Sequence, residues 1–247
     1  MAKGIYVATS GSMAQLRHLE TLSNNLANAR TAGYKGDQLT FETVRARHHR
    51  QSDPAAADPA GLDKHYVDVH DRVADLAPGA VTRTDNPLDV AMTGNGFLTI
   101  ETPRGRRLTR DGRMLIGRDG TLRTTSGHAV LDRNGRSIQL PPDRVPVIDE
   151  RGHIRAGSSE VARLGVVTVD MKAGLDKDVD GFFVPPTEAA AASADLTVMQ
   201  GHVEESNVRP VQMMLELVEV QRTFSALRQV ISASSEMDAQ AARLANG

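Results

Sequence analysis

The C-terminal end constrains the fold of this chain most. Met213, Leu217, Val220, Phe224, Leu227, Ile231 and Ser234 recur at alternating steps of four and three, and Ala241 carries the register past the polar Asp238. Such steps average about 3.5 residues, the repeat of a coiled-coil seam. A second apolar edge, Leu215, Val218, Val230, Met237 and Leu244, widens the stripe. No proline follows Pro210 and no glycine appears before Gly247, as a long helix requires. Pro210 suits a first helical turn, with Ser206 or Asn207 as candidate N-caps. An isolated helix with one apolar stripe is marginal in water, so this segment demands a partner.

The N-terminal end offers one. Ile5, Ala8, Ser12, Leu16, Leu19, Leu22 and Leu26 also fall at steps of three and four, which predicts a helix over 5–28 with one apolar face. It breaks at Thr31-Ala32-Gly33, where a glycine supplies the positive φ of a helix stop. Pairing the two ends still leaves apolar surface uncovered, which favours bundling with further subunits.

Between the ends, roughly 66–199, the pattern changes to short apolar or alternating runs: Leu88–Met92, Phe97–Glu101, Met114–Gly117, His128–Leu131, Ser137–Leu140, Val145–Ile148, Val161–Asp170 and Phe182–Val184. Gly94-Asn95-Gly96, Pro103-Arg104-Gly105, Asp111-Gly112, Asp119-Gly120, Asn134-Gly135 and Arg151-Gly152 separate them. Asp-Gly and Asn-Gly pairs suit tight hairpins, so the middle reads as antiparallel β, a sandwich or an open barrel. Residues 45–65, with Pro54, Pro59 and mixed charges, read as a linker or a loop ordered by a partner. The alanines of 188–194 form a second joint.

The expected fold class is therefore α+β: N- and C-terminal helices pair into a coiled-coil-like core, and an antiparallel β domain is inserted between them. The expected divisions are 1–44, helix and corner; 45–65, linker; 66–199, β domain; and 200–247, the heptad helix.

Composition narrows the chemistry. Lys and Arg total 29 against 31 Asp and Glu, a balance unlike that of a nucleic-acid binder. With no cysteine, disulfides, thiolate metal sites and cysteine nucleophiles are all excluded. Three tyrosines, five phenylalanines and no tryptophan leave little material for a ligand pocket or a sugar-stacking platform. No apolar run approaches the ~20 residues of a membrane span, and Gly4, Thr9, Ser10, Gly11 and Ser12 interrupt any signal-peptide core.

No catalytic constellation emerges. His48-His49 are neighbours on an extended segment and chelate poorly, and His65 and His70 lack a companion at helical spacing. Asp132-Arg-Asn-Gly135 begins like a calcium loop but lacks the later ligands. Gly94-Asn-Gly96 lacks the third glycine and helix of a dinucleotide site. Arg104, Arg106, Arg107, Arg110 and Arg113 crowd one hairpin. They fit either a solvated sheet edge or a subunit contact carried by Arg106, Arg107 and Arg110. No catalytic residue, cofactor or metal is expected. Two other classes fit the middle of the chain less well: a β-rich adhesin or carbohydrate-binding module, and a hydrolase using Asp or His pairs.

Three stretches resemble the flagellar rod and hook proteins. Ser23-Asn-Asn-Leu-Ala-Asn28 followed by Thr31-Ala-Gly-Tyr-Lys35 resembles their N-terminal signature. Asn86-Pro-Leu-Asp-Val-Ala-Met-Thr-Gly-Asn-Gly-Phe97 with Thr109-Arg-Asp-Gly112 is similar to their central β block, and Val203-Glu-Glu-Ser-Asn-Val208 to the entry of their C-terminal helix. Within that family the chain looks most like the proximal rod type. Its opening, Gly4-Ile-Tyr-Val-Ala-Thr-Ser-Gly11, fits that type, as does Arg163-Leu-Gly-Val-Val-Thr168 with Asp180-Gly-Phe-Phe183. A distal rod or hook-type subunit is the alternative, although the aromatic segment usual after the first helix of the distal type is replaced here by a Pro/Ala/Asp stretch.

The resemblance implies a structural subunit that leaves the cytoplasm uncleaved through the flagellar export apparatus and assembles in the periplasm with other rod and hook subunits and copies of itself. It implies no nucleic acid and no membrane insertion. On this basis Leu16, Leu19, Leu22 and Leu26 are expected to pack with Leu217, Val220, Phe224, Leu227 and Ile231 in the assembly core. Asn24, Asn25, Asn28, Gly33 and Tyr34 form the corner motif. The Asn amides there either bond neighbouring subunits or cap the helix within one chain.

Overall fold

A computed structural model describes residues 2–46, 64–141, 144–169, 175–186, 190–191 and 196–245. The chain divides into two compact units. One combines 1–26, 38–72 and 210–247, and the other combines 27–37 and 73–209.

The first unit holds α1 (Ala2–Ala27), most of β1 (Asp37–Ala46) and β2 (Lys64–Ala74), which pair with each other, and α2 (Pro210–Ala245). Strands thus occupy both ends of the expected linker, and its residues 47–63 lie outside those described, as do His48 and His49. Strand β1 is a finding that the mixed sequence Asp37–Ala46 does not announce.

Helix α2 begins at Pro210, as the fixed φ of proline allows. The expected N-caps are used elsewhere: Ser206 Oγ accepts the Val208 N–H at 3.2 Å, and the Asn207 amide bonds other segments. Along α2 the seam expected from the heptads is the covered face. Met213, Leu217, Phe224, Leu227, Ile231 and Ser234 are half-buried and Val220 is buried, while the residues between them, Glu216 apart, are exposed.

In α1 the covered face is broad: Ala8, Ser12, Ala14, Thr21, Leu22 and Asn25 are buried, and Gln15, His18, Leu19 and Leu26 half-buried. Gln15 therefore occupies the place expected of Leu16, which is 46% exposed. The alternating four-three step selects 15 after 12, and the leucine one position on is rotated out of the stripe. Two contacts join the helices: His18 Nε2 lies 3.2 Å from Glu216 Oε1, and a Cβ on Gly11 would stand 3.6 Å from Leu227 Cδ1. Position numbers rise in one helix as they fall in the other, so the contacts run antiparallel. Among the described residues, no helix is long and apolar enough to cross a membrane.

The second unit is β-rich. Its strands in chain order are β3 (Val81–Arg83), β4 (Val90–Met92), β5 (Gly96–Thr102), β6 (Gly105–Thr109), β7 (Met114–Ile116), β8 (Leu122–Thr124), β9 (Ala129–Val130), β10 (Val147–Ile148), β11 (His153–Ala156), β12 (Ser159–Arg163), β13 (Val166–Thr168), β14 (Ala190–Ala191), β15 (Val198–Gln200) and β16 (His202–Glu204). The largest sheet runs β14-β13-β5-β9-β8-β7, with β6 on the other edge of β5. A three-stranded sheet, β10-β11-β12, and two pairs, β15-β4 and β16-β3, complete the unit. All of these pairings are antiparallel, and no barrel closes among the described residues. Of the alanine joint 188–194, only Ala190–Ala191 is described, and it pairs with β13.

Strand β5 separates two cores by period-two alternation. Leu98 and Ile100 join a cluster with Val90, Met114, Leu122 and Ile154, whereas Phe97 joins Leu76, Leu108 and Phe183. Replacing Leu98 by Ala, fully buried as it is, is expected to cost about 2–5 kcal/mol. Urea unfolding followed by circular dichroism measures this.

Candidate functional site

The corner that follows α1 is built from Thr31 to Asp37. Thr31 turns the chain by donating its N–H to Asn28 O at 3.0 Å and its hydroxyl to Asn28 Oδ1 at 3.2 Å. Gly33 then adopts φ 65° and donates its N–H to Glu204 O at 2.7 Å. A Cβ at Gly33 would stand 2.3 Å from the backbone carbon of Arg110, so both the conformation and the close approach require glycine. The ring of Tyr34 lies 4.5 Å beneath Lys177 Nζ, a cation–π contact, and the same amine bonds Asp37 Oδ1 at 2.7 Å.

Lys35 turns inward and is 2% exposed. Its amine donates to Glu204 Oε1 at 2.6 Å and to Ala77 O at 2.7 Å. Glu204, 1% exposed, also accepts the Gly79 N–H at 2.9 Å and, on Oε2, Arg110 Nε at 2.5 Å. The terminal nitrogens of Arg110 also donate to Met92 O at 2.7 Å and to Gly96 O, and its guanidinium lies over the Phe97 ring. Asn207 braces the same region. Its Oδ1 accepts Gly36 N–H at 2.8 Å, and its Nδ2 donates to Asp75 O at 2.8 Å and Ala77 O at 3.2 Å.

The segments that carry the family resemblance therefore meet at one buried carboxylate. Gly33, Tyr34 and Lys35 come from the first, Met92, Gly96, Phe97 and Arg110 from the second, and Glu204 and Asn207 from the third. Gly112 belongs to the same construction: a Cβ there would fall 1.7 Å from Val90 O. Both Glu204 oxygens accept charge-assisted donors, one from each cation. Among the described residues, no group of three or more His, Asp or Glu is placed to hold a metal ion.

Electrostatics follow the geometry. Burial alone pushes the Glu204 carboxyl up, but Arg110, Lys35 and the Gly79 N–H outweigh it and hold the group below its ordinary 4.5. Burial lowers the Lys35 amine from its ordinary 10.5, with Glu204 pulling the other way.

The structure distributes the other expected residues as follows. Arg110 is 4% exposed, which removes it from any surface contact; its charge is needed inside. Arg107 pairs with Asp178 at 2.9 Å, and Arg106 is exposed. Asn25 is buried, Asn24 is exposed, and Asn28 holds the Thr31 turn. Asp132 is an ordinary turn residue, its Oδ1 accepting the N–H of Asn134 and of Arg136, each at 2.8 Å. Sequence reasoning missed the partnership of Lys35, Arg110 and Glu204. Their separations of 169 and 94 positions put pairing beyond any local pattern, though a Lys and an Arg inside two separate signature motifs were a signal that each needed a partner.

Removing the carboxylate charge with Glu204→Gln leaves two buried cations uncompensated and is expected to cost about 3–5 kcal/mol. Because the folded carboxyl sits below 4.5, its stabilisation is complete above that pH and is lost as pH falls through the folded value. The stability gap between the native chain and Glu204→Gln is therefore expected to narrow under acid, as urea midpoints measured from pH 7 down to pH 3 will register.

Sequence comparison agrees with this geometry. The family "Flagella basal body rod protein" matches residues 5–35, "Flagellar hook protein FlgE/F/G D1 domain" matches 91–169, and "Flagellar basal body rod FlgEFG protein C-terminal" matches 199–244. The chain is 34% identical over 243 residues to the flagellar basal-body rod protein FlgF of Mesorhizobium japonicum, covering 96% of each. It is 30% identical over 243 residues to FlgF of Caulobacter vibrioides, covering 98% of this chain and 97% of that one. To the flagellar basal-body rod protein FlgG of Bacillus subtilis it is 26% identical over 259 aligned positions, at 96% and 97% coverage. Matches of this extent, to relatives whose names agree, show that the chain belongs to the flagellar basal-body rod protein family.

Proposed function

We infer that this chain is a structural subunit of the bacterial flagellar basal-body rod whose terminal helices are completed by neighbouring subunits, so that the array transmits torque from motor to hook. One observation carries the assembly mechanism. Helix α2 has its heptad seam covered within the chain, while Leu215 is 69%, Val218 46%, Val230 58%, Met237 52% and Leu244 85% exposed. On α1, Val7, Met13 and Leu16 are likewise exposed at 50%, 57% and 46%. An apolar edge of this extent on a soluble helix calls for further helices.

The finer assignment follows from the same residues. Leu19, Leu22 and Leu26 pack with Leu217, Val220, Phe224, Leu227 and Ile231 as a paired, coiled-coil-like core, and Leu16 turns to the neighbour. Asn28 serves its own chain, its Oδ1 accepting the Thr31 hydroxyl at 3.2 Å. Higher identity to the two FlgF relatives above than to the FlgG of Bacillus subtilis, together with the Gly4–Gly11 opening, supports a position in the proximal rod. Such a subunit reaches the periplasm through the flagellar export apparatus without cleavage, contacts other axial subunits and copies of itself, and performs no catalysis.

Leu215→Asp with Val230→Asp places charges on the exposed edge without touching the covered seam. Folding judged by circular dichroism is expected to be unchanged, and swimming and recovery of the chain in isolated basal bodies to be lost. Normal motility would refute the bundling role of that edge. Leu217→Ala with Leu227→Ala removes seam packing and is expected to weaken both helix pairing and rod recovery, at about 2–5 kcal/mol for each fully buried leucine and less where burial is partial.

A further inference from the structure

The β unit carries an apolar side chain at the tip of a rigid turn. Val179 is 84% exposed. Asp178 Oδ1 accepts the N–H of Asp180 at 3.0 Å and of Phe182 at 3.1 Å, and the Asp178 and Gly181 N–H groups close the turn at 2.8 and 3.0 Å. Arg107 and Arg104 grip Asp178 and Asp180, each at 2.9 Å. Single exposed apolar residues are common on protein surfaces. This one differs in being held in one geometry, flanked by the exposed carboxylates Asp176 and Asp180.

The same unit contains a complementary hollow. A cleft of about 460 Å³ is lined by Ala29, the buried Ala32 and Val203, and the charged Arg30, Arg113 and Glu205. Arg113 is committed to Asp111 through two hydrogen bonds, of 3.0 and 2.9 Å. Arg30 is exposed and engages no carboxylate among the described residues. Thr82 and Thr84 complete the lining, and Thr82 donates its hydroxyl to Glu205 Oε1 at 2.8 Å, so a small apolar side chain fits the Ala29–Ala32 side with a carboxylate toward Arg30 and away from Glu205.

We propose that the Val179 turn of one copy of this chain seats in the Ala29–Ala32–Val203 cleft of the next, with Arg30 facing Asp176 while Asp180 stays with Arg104. Knob and hollow are different surfaces of the same molecule, so the contact is heterologous and propagates as an open helical array rather than closing on itself. The turn is preorganised, which lowers the entropy lost on docking. The contact rests on the rod-subunit assignment and deepens it by adding an intersubunit joint in the β unit, apart from the terminal helices.

The chain has no cysteine, so introduced thiols report without background. The double variant Ala29→Cys/Val179→Cys, expressed in place of the native chain and oxidised in motile cells with copper phenanthroline, is expected to give a ladder of oligomers on non-reducing gels. Co-expressed single variants should stop at dimers, Val179→Cys alone should give none, and adding Arg30→Glu to the double variant should abolish the ladder. Thr82→Cys, also lining the cleft, replaces Ala29→Cys should the latter fail to fold. Recovery of the double variant in basal bodies without cross-linking would overturn the contact and leave the rod assignment standing. Its absence from basal bodies, with the native chain absent too, would overturn both. Cross-linking by Val179→Cys alone would show the knob meeting itself and would also refute the proposal.

Discussion

Three buried charges decide how the β unit closes. Glu204 accepts from Lys35 and Arg110, and none of the three is more than 4% exposed. Dehydrating them is costly, and the cost is recovered only when all are present in bonding geometry. The set therefore favours the one arrangement in which all three groups meet. Lys35 ties the corner after α1, Arg110 ties β4 and β5 through Met92 and Gly96, and Glu204 ties the strand that leads to α2. Gly33 and Gly112 allow backbones to approach closely enough for those ties to form.

Much of the fold was legible in local patterns. The two helices follow from apolar spacing and from the absence of internal proline. Several hairpins follow from turn glycines: Gly105, Gly120, Gly135 and Gly152 all adopt positive φ. Asp111-Gly112 looks alike in sequence, yet Gly112 is there for contact with Val90 and has no left-handed backbone. Strand β6, Gly105–Thr109, is missing from the apolar runs, although its arginines are placed on a hairpin and fit a sheet edge. Arg107 of that strand and Arg104 just before it find carboxylates in the 178–180 turn, which no local window contains.

The site was legible as motif and illegible as mechanism. Gly33 and Tyr34 stood out by resemblance, but the reasons for them, the Arg110 backbone and the Lys177 amine, lie far along the chain. The register of α1 shows a subtler limit. Leucines drew the apolar stripe through Leu16, whereas strict helical geometry runs it through Gln15. The structure accepts a polar atom in the seam as a result: Ser12 Oγ and Gln15 Oε1 are buried without partners. Residue type outvoted angular position in the sequence pattern, and packing reversed that vote.

The carboxylate that closes the β unit stands 169 positions after the lysine it neutralises. A polypeptide synthesised from its N-terminus presents Lys35 and Arg110 well before the carboxylate that pairs with both. Late arrival of one acidic side chain thus sets an order: the buried ties of the corner form only after residue 204 exists.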